Sequence, residues 1–402
     1  MIRVAFVEQE SQMGGVEYST LILASALDRK RFQPVVIVPE HGPLVEHCQS
    51  RNISVLLAPR PTFRSASWRI AGRTVADPLA MLLNPLRLER ASAMLAQVLR
   101  AFSPDLVITK GLLVHFYGGL AARRLRVPCL WHVQDEVPPE RARGLYLRTL
   151  QLAGQVLAAS VVGDAASIAA QFPAHPAVTT VYNGIDTDEY APGTVAGTLR
   201  HDLGIPTDAI LIGNLARLTD WKGQHVLIEA FNVIAQHFPM AHLVLIGSPL
   251  FDNDQYEQRL RLMAAIGAGA GRIHFAGYRT DTAASLAALD LYVHPSLRKD
   301  TAPLALLSAL STGLPTIISA VPGMLEVVEP GVSALTTPSG DSQVLAEQLS
   351  LLLSQPELGK RLGQAARTSA VARFSISVHT TQMQAMIESA LTNVSASSHH
   401  RG

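Results

Sequence analysis

Two cations follow a predicted strand in the second half of the chain. Arg217 and Lys222 come after the apolar segment 210–214, and Gly223 then opens a predicted helix. A planar guanidinium and a compact ammonium at this spacing can bind neighbouring phosphoryl oxygens of a diphosphate that gains charge as it leaves. The alternative is a solvated surface pair beside Asp220. Because the cations stand at the carboxyl end of a strand, we favour the diphosphate site.

Two other polar side chains end predicted strands. His132 closes the segment 128–132, where its ring would lie at the rim of a cleft and touch a sugar hydroxyl or a developing positive charge; a buried structural histidine is the alternative. Asp300 follows the strand at 291–293 and precedes Pro303, which suits the first turn of a helix. The backbone amides of that turn would then face an anion. A simple helix cap is the more economical interpretation of Asp300.

Gly14 and Gly15 follow the first predicted strand and open a helix. Glycine lets a ligand approach the backbone, and amides at a helix N-terminus attract anions. A tight turn without a ligand fits this pattern equally well. The spacing is not GxGxxG, so the fingerprint of dinucleotide-binding proteins is absent and a pyridine-nucleotide dehydrogenase is the least favoured class.

The elements that must position these residues alternate between strands and helices. Strands are predicted at 2–7, 35–38, 53–58, 106–109, 127–132, 161–162, 210–214, 243–246, 273–275, 291–293 and 316–318, and closing helices at 341–353, 359–374 and 377–391. Such alternation predicts right-handed crossovers and mostly parallel sheets. We predict two α/β domains, 1–190 and 191–375, followed by a helix at 376–394 and a frayed tail at 395–402.

The composition excludes several classes of protein. The 402 residues contain 33 Lys+Arg and 32 Asp+Glu, so no excess of cations is available for nucleic acid. With 48% hydrophobic and 16% charged residues, the composition is not that of a disordered chain. The uncharged run 301–325 contains prolines, which favour strands of a covered parallel sheet over a membrane-spanning helix. Cys48 and Cys129 form no disulfide framework, and no leader-like segment begins the chain, so we expect a cytoplasmic protein.

The segment 60–100 is the one local charge asymmetry. It contains seven arginines against Asp77 and Glu89, interleaved with apolar residues such as Trp68 and Leu82. This pattern is typical of a surface loop and an amphipathic helix that rest on anionic lipid or receive an anionic acceptor. We therefore expect peripheral contact with an anionic membrane at its inner face, with a merely solvated basic face as the equal alternative.

Taken together, these motifs resemble the retaining, nucleotide-sugar-dependent glycosyltransferases of family 4. The resemblance covers most of the chain in order, and its most specific segments are Asn-Gly-Ile-Asp at 183–186, Trp-Lys-Gly-Gln at 221–224 and Gly-Leu-Pro at 313–315. It implies the α/β GT-B architecture, with two Rossmann-like doubly wound parallel-sheet domains facing across a cleft. The N-terminal domain would hold the acceptor and the C-terminal domain the donor, with the last helix crossing back to the N-terminal domain.

The resemblance also implies the reaction. A hexose-type sugar would move from a nucleotide-sugar donor to a glycan, lipid-linked or small-molecule acceptor with retention of configuration, in polysaccharide biosynthesis, without cofactor or metal. The implied catalytic residues are His132, Arg217, Lys222 and Asp300. The implied donor-binding residues are Gly14, Gly15, Asn183, Arg217, Lys222, Thr301, Ala302, Pro303, Leu304, Ser308 and Glu326.

One departure from the family pattern concerns two glutamates that usually precede Gly-Leu-Pro. Asp300 stands at the first position and Ser308 at the second, where the family's carboxylate accepts hydrogen bonds from the ribose. Loss of a charged hydrogen bond of about 1.5–3 kcal/mol is expected to lower donor affinity about tenfold or more. Because of this departure, one alternative function is that of a non-catalytic relative that binds a sugar or nucleotide. A nucleotide-sugar epimerase is a further alternative.

Overall fold

A computed structural model describes residues 1–64, 67–70, 73–137, 144–249, 254–298 and 300–399. The chain forms two compact units, which we call the N-terminal unit (Met1–Tyr182 with His379–Gly402) and the C-terminal unit (Asn183–Val378). The units divide eight residues before the boundary that we predicted at 190.

The strands and helices of the N-terminal half alternate from the first residues onward. The strands are β1 (Ile2–Glu8), β2 (Phe32–Val38), β3 (Ser54–Leu57), β4 (Ser67–Ile70), β5 (Arg73–Ala76), β6 (Leu106–Lys110), β7 (Cys129–Val133), β8 (Ser160–Gly163) and β9 (Val178–Thr180). The helices are α1 (Gly15–Ala26), α2 (Pro43–Ser50), α3 (Pro78–Phe102), α4 (Leu112–Leu125), α5 (Leu145–Leu157) and α6 (Ala166–Ala169).

Seven of these strands form a parallel sheet in the order β3-β2-β1-β6-β7-β8-β9, and β4 pairs with β5 as a separate antiparallel hairpin. Both faces of the sheet are covered, which explains why its strands are nearly continuous apolar runs. One face packs mainly under α3, α4 and α5. The other packs under α1, α2 and the last helix of the chain, which contributes Met383, Ile387 and Ala390 to that core.

The C-terminal half repeats the alternation. Its strands are β10 (Ile210–Leu215), β11 (Ala241–Ile246), β12 (Ile273–Gly277), β13 (Leu291–His294), β14 (Thr316–Ser319) and β15 (Leu335–Thr337). Its helices are α7 (Leu199–Asp202), α8 (Gln224–Ile234), α9 (Asp254–Ile266), α10 (Thr282–Ala287), α11 (Leu304–Thr312), α12 (Pro322–Leu325), α13 (Ser342–Ser354) and α14 (Pro356–Phe374), and α15 (Ile376–His399) ends the chain. The six strands form a parallel sheet in the order β12-β11-β10-β13-β14-β15.

Some strands and helices of the structure differ from the predicted ones. We predicted neither β9 nor β15, each of which has three residues, because such short strands carry no readable period. The helix α15 continues to His399, through most of the segment 395–402 that we predicted to fray. Residues 400–402 lie outside the described residues, and fraying of the tail stays a prediction. Among the residues that the structure describes, no helix combines the length and the hydropathy that crossing a bilayer requires.

Candidate functional site

The carboxyl edge of the C-terminal sheet brings Lys222 and Asp300 together. Lys222 ends a short 3₁₀ turn after β10, and Asp300 follows β13. Gly223 sits between that turn and α8 with φ of +72°, and a Cβ built there would lie 2.0 Å from the carbonyl oxygen of Pro295. Glycine is therefore required for the two strand-end loops to approach each other closely.

Asp300 is an internal anion held by three donors. Its Oδ2 accepts from Lys222 Nζ at 2.6 Å, from His294 Nε2 at 2.8 Å and from the Ser296 hydroxyl. The carboxyl group is 5% exposed, and burial alone would raise its pKa. The charge of Lys222 and the hydrogen bonds that Lys222 and His294 donate overcome burial and hold the pKa well below its usual range. Asp300 is therefore ionised and compensated, not a free carboxylate.

A hydrogen-bonded chain extends from Asp300 into the sheet. His294 Nδ1 lies 2.8 Å from the hydroxyl of Tyr292, while Nε2 faces Asp300. Burial lowers the pKa of His294, so the ring is neutral, donates from Nε2 and accepts from Tyr292 at Nδ1. These hydrogen bonds fix the position of Asp300. Asp300 in turn holds the ammonium of Lys222, whose side chain is only 11% exposed. We did not predict Tyr292 or His294, although His294 closes an apolar strand.

Of the predicted anion-binding residues 301–304, only Leu304 places its amide at the start of α11. The Ala302 amide donates to the carbonyl of Gly323 at 3.5 Å, and Pro303 has no amide hydrogen. Ala302 has φ of +39°, a left-handed conformation that is uncommon for a residue with a Cβ, and its carbonyl accepts from Asn183 Nδ2 at 3.4 Å. Pro303 occupies the N-cap position and supplies no side-chain cap. The first-turn amides, beginning at Leu304, are thus available for an anion. Strain at a strand-end loop is a feature typical of binding sites.

The other predicted donor-binding residues of the C-terminal unit are placed as follows. Arg217 is exposed after β10, and its carbonyl accepts from Gln224 at 3.0 Å. Thr301 is half-buried beside Ala302. Ser308 is 5% exposed within α11, and Glu326 is half-buried just after α12. Their roles in binding a donor stay predictions.

The carboxyl edge of the N-terminal sheet carries a second cluster of charge. Glu8, Lys110 and His132 lie on three neighbouring strands, because β1 pairs Glu8 with Lys110 and β6 pairs Lys110 with His132. Lys110 is fully buried and donates to the Ser19 hydroxyl at 2.6 Å, and Thr20 donates to Glu8.

Burial shifts the ionisation of both charged members of this cluster. Burial raises the pKa of Glu8 to about 8 against the opposing attraction of Lys110. Burial lowers the pKa of Lys110 to about 8 against the attraction of Glu8 and Glu17. The two groups therefore stabilise each other's charged forms in a site that disfavours either charge alone. We did not predict Glu8 or Lys110, although each follows an apolar strand.

His132 lies at the predicted strand end but not at a rim, because its side chain is fully buried. Burial lowers its pKa well below the usual value, and the charge of Lys110 lowers it further, so the ring is neutral. Neither ring nitrogen has a hydrogen-bond partner among the described residues. The ring of His379 from α15 lies 6.5 Å away between centroids. A neutral imidazole with both nitrogens unused suits a hydrogen bond to a hydroxyl better than an ion pair.

The glycine turn after β1 already holds an anion of the chain itself. The Gly14 amide donates to Glu17 Oε2 at 3.1 Å, which satisfies the amide that we predicted for a donor. Burial raises the pKa of Glu17. Gly15 begins α1, and a Cβ built on it would meet nothing within 4 Å. Donor binding at this turn, as predicted, would therefore use the Gly15 amide. The Gly14 amide would become available only if Glu17 moved away.

The pairing of Glu8 with Lys110 predicts a coupled effect on stability. Lys110→Met removes the charge that attracts buried Glu8 and the donor to the Ser19 hydroxyl, and it is expected to lower the free energy of unfolding by about 1–3 kcal/mol. The double variant Glu8→Gln/Lys110→Met should lose less than Lys110→Met alone, because no unpaired charge remains. Urea denaturation of the wild type, Glu8→Gln, Lys110→Met and the double variant measures the coupling, with exposed Lys30→Met as the matched control. Simple additivity of the two single losses would contradict the pairing.

Within the described part of the chain, no group of three or more His, Cys, Asp or Glu side chains is placed to hold a metal ion. Cys48 and Cys129 are both buried free thiols.

Comparison with known proteins gives the family. The model for Glycosyltransferase Family 4 matches residues 13–189, and that for Glycosyl transferases group 1 matches residues 196–369. The two matches together cover most of both units. The chain belongs to the family 4 glycosyltransferases.

Relatives of this glycosyltransferase include D-inositol 3-phosphate glycosyltransferase of Corynebacterium efficiens, 28% identical over 70% of this chain and 66% of the relative. Another is the UDP-Gal:alpha-D-GlcNAc-diphosphoundecaprenol alpha-1,3-galactosyltransferase of Escherichia coli, 23% identical over 80% of each chain. A third is the GDP-mannose-dependent alpha-mannosyltransferase of Mycobacterium tuberculosis, 27% identical over 85% of each chain. The chain thus spans just under two thirds of the first relative.

Solved structures establish the architecture of this glycosyltransferase. Anabaena HepE in complex with UDP and glucose has a TM-score of 0.81 at 24% identity, covering 96% of this chain and 100% of that one. Sucrose-phosphate synthase from Thermosynechococcus elongatus has a TM-score of 0.72 at 18% identity, covering 96% and 98%. The fold is GT-B, as predicted from the sequence, with one parallel-sheet α/β domain in each unit.

Proposed function

We propose that this glycosyltransferase moves a hexose-type sugar from a nucleotide-sugar donor to a glycan, lipid-linked or small-molecule acceptor, with retention of anomeric configuration and without a cofactor. The observation that carries the donor half of this proposal is the Lys222–Asp300–His294 cluster at the carboxyl edge of β10 and β13. A buried counter-ion holds one ammonium in place beside an uncapped helix N-terminus. That pair of features suits a diphosphate leaving group.

The proposed reaction breaks the bond between the sugar's anomeric carbon and the diphosphate oxygen. The acceptor hydroxyl oxygen forms the new bond on the same face, and its proton passes to the departing diphosphate. Lys222, Arg217 and the amides of α11 stabilise the charge that develops on the diphosphate. This division of work needs no protein base. The role of His132 beside the transferred sugar stays a prediction.

A donor screen tests the proposal. UDP-glucose, UDP-galactose and GDP-mannose are the first donors to examine, because UDP-Gal, GDP-mannose and a complex with UDP and glucose appear in the names of relatives and of a structural neighbour. A donor present at about 100 times its Kd should stabilise the protein by about 2.7 kcal/mol in thermal unfolding. NMR of the transfer product then reads the anomeric configuration. Inversion, or binding of no donor at all, would overturn the corresponding part of the proposal.

One observation favours a second function, that of a sugar- or nucleotide-binding relative without transfer. Ser308 stands where a ribose-binding carboxylate is expected, and Asp300 uses its Oδ2 on internal donors. Calorimetry with the same donors separates the two functions. Tight binding without hydrolysis or transfer of any donor would favour the binding protein.

Ser308 itself is open to a direct test. Ser308→Glu is expected to raise donor affinity about tenfold, because a charged acceptor of a ribose hydroxyl contributes about 1.5–3 kcal/mol. Ser308→Gln has the same length without the charge and is the matched control for the limited space at this buried position. Calorimetric Kd values for the donor compare the three proteins. Equal affinities of the Glu and Gln variants would show that the ribose is held elsewhere.

A further inference from the structure

Tyr256 lies on α9, and its hydroxyl is buried against the start of α8. The residue is 7% exposed, and the hydroxyl contacts two consecutive residues of α8. It donates to Gln224 Oε1 at 3.3 Å, lies 2.9 Å from His225 Nδ1 and accepts from the His225 amide at 3.3 Å. These bonds use the donor and the acceptor capacity of the Tyr256 hydroxyl in full.

Gln224 connects Tyr256 to the backbone of Arg217. The Gln224 side chain is fully buried, and its Nε2 donates to the Arg217 carbonyl at 3.0 Å. Because a carbonyl only accepts, this bond fixes the orientation of the Gln224 amide and leaves Oε1 to accept from Tyr256. The hydroxyl proton of Tyr256 is thus used on Gln224, so His225 must donate from Nδ1. The bonds run in one direction, from the His225 ring to the Arg217 carbonyl.

The peptide group between Arg217 and Leu218 is held at both ends. Its carbonyl accepts from Gln224, and its amide donates to the Ser248 carbonyl at 3.1 Å. Because a peptide group is planar, two bonds fix its orientation, whereas one bond leaves it free to rotate. The Arg217 side chain is exposed and forms no ion pair within the described residues. Its backbone therefore determines where the guanidinium can reach.

Lys222, the other cation of this loop, has a support of its own. Its ammonium is bonded to Asp300 at 2.6 Å, and Asp300 follows a different strand. That bond does not involve Tyr256. Loss of the Tyr256 hydroxyl should therefore displace Arg217 and leave the ammonium of Lys222 in place.

We propose that Tyr256 is a positioning residue of the donor site, which holds the Arg217 backbone through Gln224 so that the guanidinium meets the donor's diphosphate. This step rests on the proposed function, in which Arg217 stabilises the charge that develops on the departing diphosphate. A preorganised cation is effective there because it needs no reorganisation as the bond breaks. Tyr256 does not contact the substrate, because its hydroxyl is occupied by Gln224 and His225.

Tyr256→Phe removes the hydroxyl and keeps the ring. We expect kcat with an accepted donor to fall about tenfold, within the roughly 10²-fold that a displacement of about 1 Å can cost, and KM to change little. Tyr190→Phe is the matched control, because Tyr190 is 5% exposed and its hydroxyl lies 2.7 Å from Thr282 Oγ1. Both variants should unfold at a lower urea concentration than the wild type, but Tyr190→Phe should keep the wild-type kcat.

A double-mutant cycle separates positioning of Arg217 from a general loss of structure. In the Arg217→Ala background, Tyr256→Phe should lower kcat no further. In the Lys222→Ala background, it should lower kcat by the full factor of about ten. A wild-type kcat in Tyr256→Phe, or equal losses in the two backgrounds, would overturn the proposal.

Two further measurements do not depend on sugar transfer. Burial lowers the pKa of His225, so nitrogen NMR should find a neutral ring with its proton on Nδ1; a proton on Nε2 would overturn the proposal. Calorimetry with inorganic pyrophosphate, which carries the charge of the departed diphosphate, should show an affinity about tenfold weaker in Tyr256→Phe and unchanged in Tyr190→Phe.

The pyrophosphate measurement also separates this proposal from the proposed function. If the wild type turns over no donor, the proposed function fails, and pyrophosphate affinity still tests the role of Tyr256. Equal pyrophosphate affinity of the wild type and Tyr256→Phe, or no binding by the wild type, would then overturn that role.

Discussion

Replacing Lys222 with alanine is expected to lower turnover with any accepted donor by 10²-fold or more, the order of effect that follows loss of one preorganised charge-stabilising donor. The ammonium is nearly buried and is held 2.6 Å from Asp300, so little reorganisation is needed when the diphosphate gains charge. The loss should appear in kcat rather than KM, because the interaction strengthens as the bond breaks. Steady-state kinetics of donor turnover measures both.

Two further variants serve as controls for Lys222→Ala. Lys360→Ala removes an exposed lysine of the same unit and should leave kcat unchanged. Lys222→Arg keeps the charge but not the compact geometry, so it should recover only part of the loss. An unchanged kcat in Lys222→Ala would remove Lys222 from the mechanism.

Replacing Asp300 with asparagine is expected to lower the free energy of unfolding by about 3 kcal/mol, because Lys222 then remains in a nearly buried site without its counter-ion. The pH dependence follows from the depressed pKa of Asp300. The stabilisation is present in full above the unfolded-state pKa of about 4 and is lost as the pH falls through the folded-state value. Wild type and variant should therefore differ by a constant amount from about pH 5 to 8 and converge below about pH 4.

Chemical denaturation at a series of pH values provides that comparison. Asp208→Asn, which alters an exposed acid of the same unit, is the matched control and should unfold like the wild type throughout. A difference between wild type and Asp300→Asn that grows as the pH falls below 4 would contradict the ion pair.

Local pattern was sufficient for the architecture. The alternation of apolar strands with helices predicted two parallel-sheet domains, and the segments at 183–186, 221–224 and 313–315 predicted the family; both predictions are confirmed. These predictions succeeded because a parallel strand that is buried on both faces is a short apolar run. Such a run can be recognised in the sequence without knowing which strands lie beside it. Strands of three residues, such as β9 and β15, are too short for that signal.

Lys222, Asp300 and His132 lie at or shortly after strands, as expected, but the groups that surround them were not predicted. His132 is fully buried, as in the alternative to the rim position, and the Gly14 amide, which was assigned to a donor, is bonded to Glu17. Burial of His132 depends on side chains from other elements. The bond between Gly14 and Glu17, in contrast, is a local capping contact at the start of α1 that the three-residue spacing indicates. Burial of a histidine, in particular, depends on how many elements cover it.

By itself, then, the sequence determined the fold class, the family and the strand-end positions of Lys222, Asp300 and His132. Only the tertiary structure decided which of those positions meet. Lys222 and Asp300 are 78 residues apart and touch because β10 and β13 are neighbours. Glu8, Lys110 and His132 form one cluster because β6 lies between β1 and β7 in register. Strand order and register depend on the packing of the whole sheet, which involves residues far apart in sequence. Hydrophobic periodicity and short motifs, in contrast, involve only residues close together in sequence.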